Sequence, residues 1–90
     1  QSEEMYMKST NKDLLIFCHN IRALRRVHKL TQKEMAKICG ISISTLRKLE
    51  HNILPVKISI RTVFNLSKYF NLLPSQLFTL GAETISRTDA

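Results

Sequence analysis

Between Thr31 and Ser42 the chain carries two helix starts and one helix end, which leaves almost no room for a turn. Thr31-Gln32-Lys33-Glu34 has the form of a capping box. In that motif the Thr31 hydroxyl accepts the Glu34 backbone N–H, and the Glu34 carboxylate accepts the Thr31 N–H. The helix it opens runs through Met35, Ala36, Ile38 and Cys39 to Gly40, which takes the positive φ of a helix end without steric cost. Ser42 then caps the next helix, which contains Leu46 and Leu49. Two helices joined so tightly must touch, and small Ala36 stands where they do, with Met35, Ile41, Leu46 and Leu49 at inward positions. An ordinary helical hairpin would share the apolar positions but would have no reason to combine a close-contact Ala with a Gly four residues later.

Helical periodicity extends over most of the remaining chain. Asp13 caps a first helix in which Leu14, Phe17, Ile21, Leu24 and Val27 or His28 recur at three- and four-residue steps. Asn52 to Lys57 reads as a loop, marked by Asn52 and Pro55. Ser59 caps a fourth helix with Val63, Leu66 and Phe70 on one face, ending near Asn71. Pro74 opens a short fifth helix with Leu77 and Phe78, closed by Gly81. No stretch alternates with period two. The expected fold is all-α: one compact five-helix domain over residues 13–81, with a flexible N-terminal segment at 1–12 and a polar tail at 82–90.

A length of 90 residues leaves room for one core, and 43% hydrophobic residues with two Gly and two Pro suffice to build it. The polar start and the lack of any apolar run near 18 residues give no leader or membrane span, so an intracellular chain is expected. Cys18 and Cys39 lack metal-ligand spacing and read as buried free thiols. No metal, cofactor or small-molecule substrate is expected. His19, His28 and His51 have no paired carboxylate or nucleophile at useful spacing, so an enzyme is not expected either.

The charge is localised. Residues 1–13 carry a net −1 and residues 62–90 a net zero, whereas residues 14–61 carry +8, from ten basic residues against Glu34 and Glu50. Such a block seeks a polyanion, although charge alone does not separate nucleic acid, membrane surface and acidic protein. The pattern from Gln32 to Glu50 supplies the distinction, because it meets the requirements of a helix-turn-helix.

At these residues the sequence resembles the lambda-repressor-like (XRE, or Cro-type) DNA-binding family. The likeness covers Ile21 to Phe78: Ile-Arg-Ala-Leu-Arg, then Leu-Thr-Gln-Lys-Glu-Met-Ala-Lys-Ile-Cys-Gly-Ile-Ser, then Ser-Thr-Leu-Arg-Lys-Leu-Glu, and later Leu-Ser-Lys-Tyr-Phe-Asn-Leu. Asn52 stands where the family usually has Gly, and Pro55 falls earlier than the family's usual Pro. The resemblance implies a bacterial, phage or mobile-element regulator in the cytoplasm or nucleoid. Such a protein binds double-stranded operator DNA as a homodimer, with the third helix in the major groove. It also implies an ion pair between Arg25 and Glu50. Without the family, the reason to expect that pair is that Glu50 would repel phosphate unless a cation neutralised it.

With Leu46 and Leu49 turned inward, Ile43, Ser44, Arg47 and Lys48 are the candidate base readers. Arg47 matches guanine O6 and N7, and Ile43 either meets a thymine methyl or packs inward. Gln32 heads the candidate phosphate contacts, joined by Thr45, Asn52, Lys57 and Arg61. Leu73, Leu77, Phe78 and Leu80 form either a dimer surface or the closure of the monomer core. The aromatic residues Tyr6, Phe17, Phe64, Tyr69, Phe70 and Phe78 mostly fall at core spacing rather than forming a stacking platform for single strands. The rival reading is a protein-interaction module of antitoxin or bridging-adaptor type on the same fold.

Overall fold

A computed structural model describes residues 11–53 and 57–88. Residues 1–10 of the expected N-terminal segment, including Tyr6, together with Pro55 and the last two residues, lie outside the described residues. The helices are α1 (Asn11–Val27), α2 (Gln32–Cys39), α3 (Ile43–Glu50), α4 (Ile60–Phe70) and α5 (Ala82–Ile85), with a 3₁₀ helix at Pro74–Phe78 before α5. No strand occurs among the described residues. No described helix is long and apolar enough to cross a membrane.

The caps on α2, α3 and α4 follow from the sequence. Thr31 and Glu34 close the capping box on α2, and Ser42 and Ser59 accept the N–H groups of Thr45 and Thr62. Asp13 is a correction: α1 already begins at Asn11, so Asp13 lies in its first turn, where a carboxylate favours the positive end of the helix dipole. Each of the four long helices is followed by a residue with left-handed backbone: Lys29, Gly40, Asn52 and Asn71. Only one of these is Gly. After α3, the Asn52 N–H donates to Leu49 O and the Ile53 N–H to Lys48 O, which satisfies two of the last carbonyls in a Schellman arrangement.

Phe17, Ile21 and Leu24 of α1 meet Met35, Ala36 and Cys39 of α2, Leu46 and Leu49 of α3, and Val63, Leu66 and Phe70 of α4 in one core. The α1 stripe ends at His28, whose ring lies 5.0 Å from that of Phe70, while Val27 is exposed. Both thiols are free and buried. Burial pushes the Cys39 thiol up to about 12, with the Glu50 charge adding to the effect, and it also raises Cys18.

The expected fifth helix is replaced by two short elements. The 3₁₀ helix stops at Phe78, because Thr79 is extended (φ −119°, ψ 131°), and the chain re-enters a helix only past Gly81. Asn20, fully buried on the apolar face of α1, holds this stretch by donating to Leu77 O at 2.7 Å and Thr79 O at 2.9 Å. Leu77 is a correction to the dimer-surface expectation. It has no exposure and belongs to the core, and Phe78 stacks on Phe17 with ring centres 5.0 Å apart. Leu73 and Leu80 are exposed. Beyond α5 the chain returns to the body, where the Arg87 N–H donates to Phe70 O and Ser86 Oγ lies 2.8 Å from His28 Nε2.

Candidate nucleic-acid interface

α3 presents a polar outer face because Leu46 and Leu49 are taken by the core. Ser44, Arg47 and Lys48 are exposed on it. Ile43 is half-buried and packs against the core, so the inward alternative holds for most of its side chain. Thr45 sits in the first turn, where its N–H and hydroxyl both bond the capping Ser42.

The end of α3 is fixed by an ion pair to α1. Arg25 Nε donates to Glu50 Oε2 at 2.7 Å and Arg25 NH2 to Glu50 Oε1 at 2.9 Å, a bidentate geometry. The Glu50 side chain is 3% exposed and that of Arg25 is 18% exposed. Hydrogen bonding to Glu50 raises the Arg25 pKa further, against the opposing effect of burial. Arg25 also reaches Leu30 O at the end of the α1–α2 turn.

Gln32, the first residue of α2, joins this pair to the exposed face. Its Nε2 donates to Glu50 Oε1 at 3.4 Å, and its Oε1 accepts from Arg47 Nε at 3.3 Å. Both bonds are long and individually weak. Together they run from Arg25 through Glu50 and Gln32 to Arg47. The family resemblance implies that this Gln buttresses the recognition helix, but its two partners, Glu50 and Arg47, were not evident from the sequence, because helix periodicity places side chains on a face without saying which neighbours they reach.

The electrostatics are one-sided. Lys33, Arg47, Lys48, Lys57 and Arg61 are all exposed. Of the two acids of α2 and α3, Glu50 is neutralised by a cation, whereas Glu34 stays ionised in the first turn of α2. Glu50 is occupied by Arg25, and Glu34 accepts the Thr31 N–H at 2.8 Å, a bond that holds its carboxyl below the usual range. Asn52 is exposed at φ 57°, so it takes the left-handed position that Gly would otherwise fill. The first N–H groups of α2 have no acceptor within the helix and are available to an anion. No group of three or more potential metal ligands occurs among the described residues.

Two aromatic residues depart from expectation. Phe64 is 57% and Tyr69 40% exposed, because the buried stripe of α4 runs through Thr62, Val63, Leu66 and Phe70. Asn20 was likewise missed as a buried polar residue, although its position three residues after Phe17 places it on the core face.

The family model described as helix-turn-helix matches residues 21–77, which include α2, α3, α4 and the contacts just described. No curated protein and no solved structure matches. The chain belongs to the lambda-repressor-like (XRE-type) helix-turn-helix family and is a DNA-binding regulator of that kind.

Proposed function

We propose that this chain is a sequence-specific transcriptional repressor that binds a palindromic double-stranded operator as a homodimer in the bacterial cytoplasm. One observation carries the reading: the exposed Arg47 on α3 is tethered through Gln32 and the buried Glu50 to a half-buried cation, Arg25, on α1. A side chain needed only for solubility gains nothing from such orientation, whereas a guanidinium reading guanine O6 and N7 depends on it. Ser44 and Lys48 read beside it, with Ile43 contributing its exposed edge. Gln32, Thr45, Asn52, Lys57 and Arg61 contact the flanking phosphates. A palindrome read by one helix per copy calls for two copies about 34 Å apart, with Leu73 and Leu80 as the exposed apolar residues left for their contact.

The test is selection of operators from a random duplex library by the purified protein, followed by titration of the winning site against random DNA. A palindromic consensus is expected, with two copies bound per site. Arg47→Ala is expected to cost about 1 to 3 kcal/mol on the best site and relax preference at one base pair. Equal loss on selected and random DNA would remove Arg47 from base reading. Failure to shift any duplex, even at low salt, would favour the protein-interaction module.

A further inference from the structure

The geometry points to a second interaction surface, a groove between α2 and α4 that takes an acidic amphipathic helix of a partner protein. The groove is a shallow, open hollow of about 340 Å³ lined by Ile38, Asn65, Lys68 and Tyr69. It lies away from the α3 contact. Ala36, the small residue buried in the core, and Ile38 are two positions apart on α2 and so project from nearly opposite sides of that helix. The groove is also firmly built. Asn65 Nδ2 donates to Cys39 O at 3.3 Å and ties α4 to the last residue of α2. A Cβ added to Gly40 would lie 3.2 Å from the same Asn65 nitrogen, so the two elements are already in close approach.

Chemistry selects the occupant. Ile38 and the Tyr69 ring supply an apolar floor, and the ring of Phe64, 57% exposed, stands one turn before Lys68 on the same side of α4. Phe64 lies outside the lining itself but widens the apolar surface next to it, and helix-in-groove contacts seat the apolar face of a helix on surfaces of this kind. The surrounding charge has one sign. Lys68 lines the groove and the exposed Lys37 stands next to Ile38, while α4 carries no acid. The one acid of α2, Glu34, is committed to the Thr31 N–H at the far end of its helix. A second copy of this chain, with a net charge of +7, would bring like charge to that rim. DNA would leave the apolar floor unmatched. A helix with leucines at i, i+3, i+4 and i+7 and carboxylates elsewhere satisfies both the floor and the rim.

The probe is a synthetic 16-residue peptide of that pattern, with leucine anchors and glutamates on the remaining positions, titrated into the ¹⁵N-labelled full chain. A lysine-for-glutamate version serves as the charge control. Saturable shifts confined to the amides around Ile38, Phe64, Asn65, Lys68 and Tyr69 are expected, with no response to the lysine peptide. Phe64→Ala is expected to weaken the glutamate peptide about tenfold or more while leaving DNA affinity unchanged. Three outcomes overturn the proposal: no shifts, equal binding of both peptides, or shifts that map to α3 and disappear when duplex DNA is added. The last would show an acidic peptide merely imitating DNA.

Discussion

Replacing Glu50 with Gln preserves the shape of the side chain and removes its charge. As an acid, Glu50 offers Oε2 to Arg25 Nε and Oε1 to Arg25 NH2, with Gln32 Nε2 as a third, weaker donor. A carboxamide offers one oxygen. However the amide is turned, its NH2 group faces a guanidinium donor, and the Arg25 charge is left in a site where the residue beside it is nearly sealed from water. Breaking a buried pair from one side costs about 3 to 5 kcal/mol, and the 18% exposure of the Arg25 side chain places this case near about 3. At about 4 to 8 °C per kcal/mol for a domain of this size, the melting temperature should fall by roughly 12 to 24 °C. Specific DNA binding should weaken as well, even though a negative charge has been removed, because the single remaining oxygen cannot serve Arg25 Nε, Arg25 NH2 and Gln32 together, which loosens the tether on Arg47. The assays are thermal unfolding by circular dichroism and titration of the selected operator. An unchanged melting point with tighter DNA binding would refute the reasoning and leave Glu50 as a repulsive surface charge.

Other perturbations separate the remaining roles. Lys57→Ala should weaken selected and random duplexes alike and lower the salt dependence of binding by about one ion, whereas a loss confined to the selected operator would make Lys57 a base reader. Asn52→Ala, which forces a Cβ residue less suited to φ 57°, should cost about 1 kcal/mol in urea unfolding, and Asn52→Gly should be close to neutral. Equal loss for both would mean that the Asn52 side chain, not its backbone, matters. The Cys39 thiol, pushed up to about 12 in the fold against an ordinary value of 9.0, gives stability that is complete below pH 9 and is lost as the pH rises toward 12. Native protein should therefore resist thiol reagents at pH 8, with both cysteines reacting only after denaturation. Rapid labelling of one thiol under native conditions would place it outside the core.

What the sequence made legible is what short-range chemistry controls. Thr31, Ser42 and Ser59 cap their helices because a hydroxyl can reach only the N–H groups two or three residues ahead, and Gly40 and Asn71 end theirs because few residues tolerate a left-handed backbone. Phe17, Ile21, Leu24, Leu46 and Leu49 were placed inside by spacing alone. The stretch after Asn71 resisted such reading. Leu73, Leu77, Phe78 and Leu80 are all apolar, and which of them is buried depends on where Asn20 pins the backbone, a contact 57 residues away along the chain. Lys29 gave no signal as a helix end, since a lysine takes φ 55° only when the following contacts oblige it to. The exposure of Phe64 was hidden for a related reason. Phe64 is as apolar as its neighbours, but it lies off the Val63, Leu66 and Phe70 face that α4 buries.

The Arg25–Glu50 pair is better explained by orientation than by stability. Well-packed apolar residues of similar volume often hold two helices at least as firmly as a buried ion pair, because the cost of desolvating both charges offsets most of their attraction. An apolar pair here would still seat α3 against α1 and complete the core around Leu46 and Leu49. It could not give Gln32 an acceptor at its Nε2, and Gln32 would then be free to turn its carbonyl away from Arg47. The buried carboxylate thus fixes which way a half-exposed amide points, and the amide in turn restrains Arg47, which is otherwise exposed to solvent. The same arrangement keeps Glu50 from opposing a phosphate, since the carboxylate that performs this orientation is itself neutralised from the side of α1.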